Sequence, residues 1–239
     1  MEGDGRLDLA VLVNACGGRV DEIDLVGCAG LLLPGSSPFG ILLREEDSPR
    51  RKRFTIAHEL GHFCLPIHKR SAIRCVAPEL TRDGSVAPFE REANEFAAEL
   101  LMPSRFVRPM VSSGAIDLEL ATLVANHFDV STVSAALRVC EMTKERAAVL
   151  YFRDGRLRWA MRLGMPYGLP PTGSDPKGDT VTYEAVCGRP GSSSGQEVDA
   201  GSWLPLARPD PSWGQLLESS VPLDASGEAL TLLWLTMTS

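Results

Sequence analysis

Arg53-Phe54-Thr55-Ile56-Ala57-His58-Glu59-Leu60-Gly61-His62 sets two histidines four positions apart, with a glutamate directly after the first. On a helix, positions i and i+4 lie above one another on one face. The imidazoles of His58 and His62 can therefore converge on one metal ion, while Glu59, rotated round the helix, reaches a water beside that metal. Zinc in such a site acidifies the water and polarises a carbonyl, and the glutamate carries the proton to the leaving amine. The pattern thus points to metal-assisted amide hydrolysis with Glu59 as general base. The competing reading is a pair of helix histidines making ordinary hydrogen bonds. The apolar frame speaks against it, since Ile56, Leu60 and Phe63 recur at helical spacing and bury the face beside the histidines. Gly61 leaves room for close backbone approach, at a helix cost of about 1 kcal/mol against alanine that implies a packing reason.

Upstream, Glu45-Glu46-Asp47 gives way across Ser48-Pro49 to Arg50-Arg51-Lys52-Arg53. Four cations in a first helical turn would oppose the macrodipole, so the helix is expected to start near Thr55, which can cap it, with the charge run as a solvated loop. Downstream, Pro66 should end the helix. His68 lies six residues after His62, where metzincins place a third ligand, but that geometry relies on a glycine where this chain has Leu65.

A second helical pattern runs from about Phe89 to Met102, with Ala93, Phe96, Ala97, Leu100 and Leu101 as its apolar stripe. Extended back one turn, the stripe lands on Glu90. That carboxylate then faces inward, where a metal would compensate it, whereas Glu92 turns away and Glu95 and Glu99 form an outward row.

The two motifs together, Arg53 to His62 and then Glu90-Arg-Glu-Ala-Asn-Glu-Phe-Ala-Ala-Glu-Leu-Leu-Met-Pro103, closely resemble the ImmA/IrrE family of zinc metallo-endopeptidases. The resemblance covers about residues 39–140. It implies zinc as cofactor, His58, His62 and Glu90 as its ligands, and Glu59 as the catalytic residue. It also implies a protein substrate, a helix-turn-helix transcriptional repressor cut at a limited site during stress response or mobile-element induction. Set against that resemblance, the chain is expected to lack some of the N-terminal helix common in relatives.

Outside these motifs, Leu7–Asn14 reads as a short helix or strand broken at Gly17-Gly18, and Gly30–Pro34 and Phe39–Arg44 as a β-hairpin. The 39–44 run is a candidate exposed edge for an extended peptide, or a plain structural strand. Residues 118–139 have the look of a helix-turn-helix, turning at Asp129-Val130-Ser131 with Ser131 as cap. Residues 76–145 hold six Lys/Arg against eleven Asp/Glu, and the second helix offers only Arg138, so the element reads as packing support, with direct DNA binding not expected. In the last ninety residues, 148–152 and 156–160 flank Asp154-Gly155 as a hairpin, 180–186 alternates as a strand, 188–196 reads as a flexible loop, and 228–236 as a buried final strand.

The chain's 239 residues, 44% hydrophobic, suffice for a sizeable core, and a net charge of −7 excludes a chain built mainly to hold nucleic acid. Six cysteines without a CxxC pair fit free thiols in a cytoplasm, and Cys64, two residues past His62, reads as a buried inert thiol in preference to a ligand. No apolar run is long enough to span a membrane. The expected fold is therefore α+β of the gluzincin type: a zincin-like helical catalytic domain with a small N-terminal β-sheet and the helix-turn-helix-like element (1–145), then a β-rich accessory or regulatory module (146–239). The alternative class is a non-catalytic zinc-binding regulatory or interaction protein. Structural zinc sites take four protein ligands, and three strong candidates plus Glu59 favour catalysis.

Overall fold

The computed structural model describes residues 7–33, 38–65, 73–75, 88–112, 115–165, 168–204, 213–223 and 227–237. The chain divides into two units, Met1–Pro103 with Phe128–Ser131, and Ser104–His127 with Thr132–Ser239. Both mix helices with a sheet, so the fold is α+β.

The first unit opens with α1 (Leu9–Ala15), capped by Asp8, whose side chain accepts from the Val11 amide. The break falls at Gly17, whose φ of 81° needs glycine. Gly18 already belongs to β1 (Gly18–Ile23). β2 (Gly30–Leu33) and β3 (Phe39–Arg44) pair antiparallel as the expected hairpin, Gly30 opposite Leu43 and Leu33 opposite Gly40. α2 (Pro49–Cys64), β4 (Ile73–Cys75) and α3 (Pro88–Leu101) follow. The sheet order is β1-β3-β2-β4, with β1 parallel to β3. Of the two readings of residues 39–44 this overturns the exposed edge and leaves the structural strand: β3 has a neighbour on each side, the edges being β1 and β4.

The start of α2 is a second correction. The helix begins six residues before Thr55, with Ser48 as N-cap accepting from the Arg51 amide and Pro49 in the first turn. The four cations are tolerated because each meets a carboxylate. Arg50 and Arg53 lie 3.2 and 3.6 Å from Asp129, Arg51 lies 3.9 Å from Asp47, and Lys52 lies 2.7 Å from Glu22. Thr55, deprived of the capping role, donates to the Arg51 carbonyl. The helix ends at Cys64, before Pro66 as expected. Ile56 and Leu60 are buried, and Phe63 stacks on Phe39 with ring centroids 3.8 Å apart. α3 packs on α2 through its buried Ala93 and Ala97, and a Cβ on Gly61 would stand only 3.2 Å from the Ala93 Cα. That contact supplies the packing reason for a helical glycine.

The second unit contains α4 (Ser104–Ser112), α5 (Leu118–Phe128), α6 (Thr132–Met142), β5 (Arg146–Arg153), β6 (Arg156–Leu163), α7 (Val181–Val186), β7 (Ser192–Glu197), α8 (Ala200–Trp203), β8 (Trp213–Pro222) and β9 (Ala229–Met237). α5 and α6 form the expected helix pair, joined where Asp129 adopts φ 54°. Arg138, the one basic residue of α6, is buried and bonds Glu141 at 3.1 Å, so it supports packing and is not displayed to a DNA groove.

The sheet order is β6-β5-β9-β8-β7. Asp154 and Gly155, at φ 53° and 71°, make the tight turn between β5 and β6. β9 is its middle strand, with Ala229 to Leu235 all buried. Two expectations are overturned here. Residues 181–186 are helical, because Thr180 caps them by accepting from the Tyr183 amide. Ser192–Glu197 is an edge strand paired with β8, not a loop. No helix among the described residues is long and apolar enough to cross a membrane.

Candidate metal centre

Four faces of α2 are put to different uses. Ile56 and Leu60 enter the core, Gly61 admits α3, Thr55 and Glu59 face β2, and His58 and His62 face Glu90 near the start of α3. The two Nε2 atoms stand 3.0 Å apart. Glu90 Oε2 lies 3.1 Å from His58 Nε2, and Oε1 lies 3.7 Å from His62 Nε2. The ligand atoms of the three residues all lie within 4.8 Å of one another.

These separations test whether a metal fits. Ligand atoms about 2.1 Å from a tetrahedral ion stand roughly 3.4 Å apart, and two imidazole nitrogens with one carboxylate are a donor set suited to such an ion. The residues fit, and His58, His62 and Glu90 form a site able to hold a metal. The side chains of His58 and His62 are 8% and 0% exposed and that of Glu90 is 22% exposed, so the centre is reached from the Glu90 side.

Burial works against ionisation of Glu90, but hydrogen bonds and charge from His58 and His62 outweigh it and hold the carboxyl at about 2. Glu90 is thus a carboxylate at neutral pH, ready to act as a ligand. His58 Nδ1 lies 2.9 Å from Asn94 Oδ1. Asn94 Oδ1 therefore accepts from Nδ1–H and turns Nε2 toward the centre, as outer partners of metal-binding histidines do. Sequence reading passed over Asn94, although it lies one turn after Glu90 on the same face of α3.

Glu59 is wholly buried. It shares its face with Thr55 and points at β2, where Gly30 has no side chain to obstruct it. Two aromatic rings flank the histidines: Phe54 lies 6.4 Å from His58 and Phe89 lies 6.1 Å from His62, between centroids.

The structure brings His58, His62 and Glu90 together and leaves Glu92, Glu95 and Glu99 exposed, as expected. Cys64 is exposed, not buried as expected, because it falls on the last residue of α2, and it lies outside the metal cluster. His68, the competing third ligand, lies outside the described residues.

Residues 34–139 match the model of the M78 peptidase family, described as an IrrE N-terminal-like domain, in agreement with the resemblance carried by the two motifs. Among solved structures, a Mycobacterium tuberculosis transcriptional regulator shares the fold with a TM-score of 0.57 and 13% identity, over 94% of this chain and 68% of that one. No curated protein matches the chain significantly in sequence.

Proposed function

With an IrrE N-terminal-like domain of the M78 peptidases at residues 34–139 as premise, we propose that the chain is a zinc-dependent endopeptidase that cuts a helix-turn-helix transcriptional repressor at one site. The observation that carries the reading is the convergence of two imidazole nitrogens and the Glu90 carboxylate within 4.8 Å, on the helix that also holds Glu59. His58, His62 and Glu90 would hold the zinc. When bound, zinc supplies Lewis acidity toward a water and a substrate carbonyl.

The remaining work falls to the chain's own groups. Glu59, buried and shielded from bulk water, accepts the proton of the attacking water and delivers it to the leaving amine. Asn94 keeps His58 in the tautomer that presents Nε2. Such a cleft takes an extended peptide, so a folded repressor must offer a linker or open a segment locally. That requirement gives limited, selective cleavage. A regulatory setting is in keeping with the Mycobacterium tuberculosis transcriptional regulator, although at 13% identity the likeness concerns the fold alone. Residues 1–145 would carry the peptidase function in the cytoplasm and residues 146–239 would help choose the partner.

The test incubates the zinc-loaded protein, and its Glu59→Gln variant, with a repressor encoded beside it and with casein, reading fragments by mass spectrometry. One cut in the repressor, slowed by about 10²- to 10⁴-fold in Glu59→Gln, is the expected result. Rapid casein digestion with an intact repressor would replace the regulatory reading with that of a general peptidase. An intact repressor and intact casein would favour a non-catalytic zinc-binding regulator.

A further inference from the structure

We infer that Gly30 is a positioning residue for Glu59, holding the general base in place by leaving it room. The inference rests on the peptidase reading above. Gly30 lies outside the residues matched to the family, and neither motif contains it.

Thr55 and Glu59 are one helical turn apart on α2, 6% and 0% exposed. The strand they face is β2 at Gly30, which is paired to Leu43 on one side and Cys75 on the other. Two ladders keep this point of the strand from moving away from the helix. A Cβ on Gly30 would stand 2.3 Å from Thr55 Cγ2 and 3.0 Å from Glu59 Oε1. The first is an outright overlap, and the second is tighter than ordinary contact.

The backbone at Gly30 does not have the positive φ that calls for glycine. Glycine inside a strand costs stability, and its physical use there is close approach by another group. Space, not backbone freedom, is therefore what Gly30 supplies. Thr55 cannot turn aside cheaply, because its hydroxyl donates to the Arg51 carbonyl at 3.1 Å and a β-branched side chain in a helix has few rotamers. The overlap with Thr55 would therefore cost stability, and at the second contact, 3.0 Å from Oε1, the Glu59 carboxylate would be the group to give way. A general base displaced by a few tenths of an ångström loses its alignment with the proton it must take, and misplacement by about 1 Å costs on the order of 10²-fold.

The two contacts can be separated. Thr55→Ser removes Cγ2 and keeps the hydroxyl, so Gly30→Ala/Thr55→Ser relieves the overlap with Thr55 while the new methyl still presses on Glu59. The probe is acetohydroxamic acid, a zinc-binding acid that gives its proton to a neighbouring carboxylate on binding, which makes the readout independent of any peptide substrate. Calorimetric titration of the zinc-loaded full chain is combined with metal analysis and thermal unfolding. Glu59→Gln sets the benchmark, retaining zinc and binding the probe at least about 10-fold more weakly, in line with the loss of a charge-assisted hydrogen bond. Thr55→Ser alone should bind as wild type. Gly30→Ala should lose thermal stability. The double variant should regain that stability and keep its zinc, yet bind the probe at least about 5-fold more weakly than wild type.

Wild-type probe affinity in the double variant would overturn the inference and reduce Gly30 to a packing residue. Failure of the double variant to regain stability would also count against it. If wild type holds zinc but Glu59→Gln leaves probe binding unchanged, the role of Glu59 is wrong and the inference falls with it. A wild type that binds no zinc would sink the peptidase reading first, and Gly30 would have no general base to position.

Discussion

In the second unit, Glu218 is fully buried, and its two oxygens are met by donors of the chain itself. Oε1 accepts from the Thr182 amide at 2.7 Å and the Thr182 hydroxyl at 2.6 Å, and Oε2 accepts from the Trp203 indole at 3.2 Å. Thr231 and Ser220 extend the network at 2.6 and 2.9 Å. In the first unit, the polar groups of the metal centre are turned on one another: two imidazole nitrogens 3.0 Å apart and a carboxylate 3.1 Å from the nearer one. A buried anion surrounded by donors is complete as it stands, whereas two imidazoles and a carboxylate that meet only one another offer a cation a set of ligand atoms. Each cluster sets one carboxylate among buried polar side chains, so residue type does not separate structure from function here. The direction in which the donors point does.

Glu218→Leu probes the self-sufficient side of this contrast and carries the largest expected effect. It strands buried donors of Thr182 and Trp203, each worth about 1–3 kcal/mol when left unsatisfied, so urea unfolding should show a loss of roughly 3 kcal/mol. Zinc content should not change. A loss under about 1 kcal/mol would show that the network tolerates removal of its acceptor, and the contrast would weaken.

Asn94→Ala comes next. Without the partner at Nδ1, His58 is free to change tautomer, and metal affinity should fall about 10- to 100-fold in chelator competition. Asn94→Asp, which restores an acceptor, should recover most of it. Equal losses in both variants would mean that Asn94 acts through helix packing.

The smallest effect concerns acid. Glu90 has a folded value near 2 against an ordinary 4.5, so its ionised form stabilises the metal-free protein fully above about pH 4.5, and this contribution is lost as pH falls through 2. The stability gap between metal-free wild type and Glu90→Gln should therefore narrow between pH 5 and pH 2. A gap that widened toward low pH would reverse the sign.

What could be read in the sequence followed the range of the forces involved. His58, His62 and the stripe leading to Glu90 are matters of helical spacing within sixteen residues or fewer, and the structure brings these side chains together. The Asp154-Gly155 turn and the hairpin of β2 and β3 are local too. The start of α2 was not legible, since the cations at 50–53 are balanced by Glu22 and by Asp129, far away in the chain. Residues 180–186 alternate like a strand, but the Thr180 cap and the distant Glu218, which takes the Thr182 amide, make them a helix. Ser192–Glu197 has the composition of a loop and becomes a strand only because β8 is there to pair with it. Gly30 is the extreme case, since its meaning depends on a side chain 29 positions on.

The claim that His58, His62 and Glu90 make the metal centre, with Glu59 beside it as base, is tested most directly by the metal content of five purified proteins. Wild type, Glu59→Gln and His68→Ala should each carry one zinc, while His58→Ala and Glu90→Ala should carry none. Zinc kept by Glu90→Ala and lost by His68→Ala, or lost from Glu59→Gln as fully as from His58→Ala, would contradict the account.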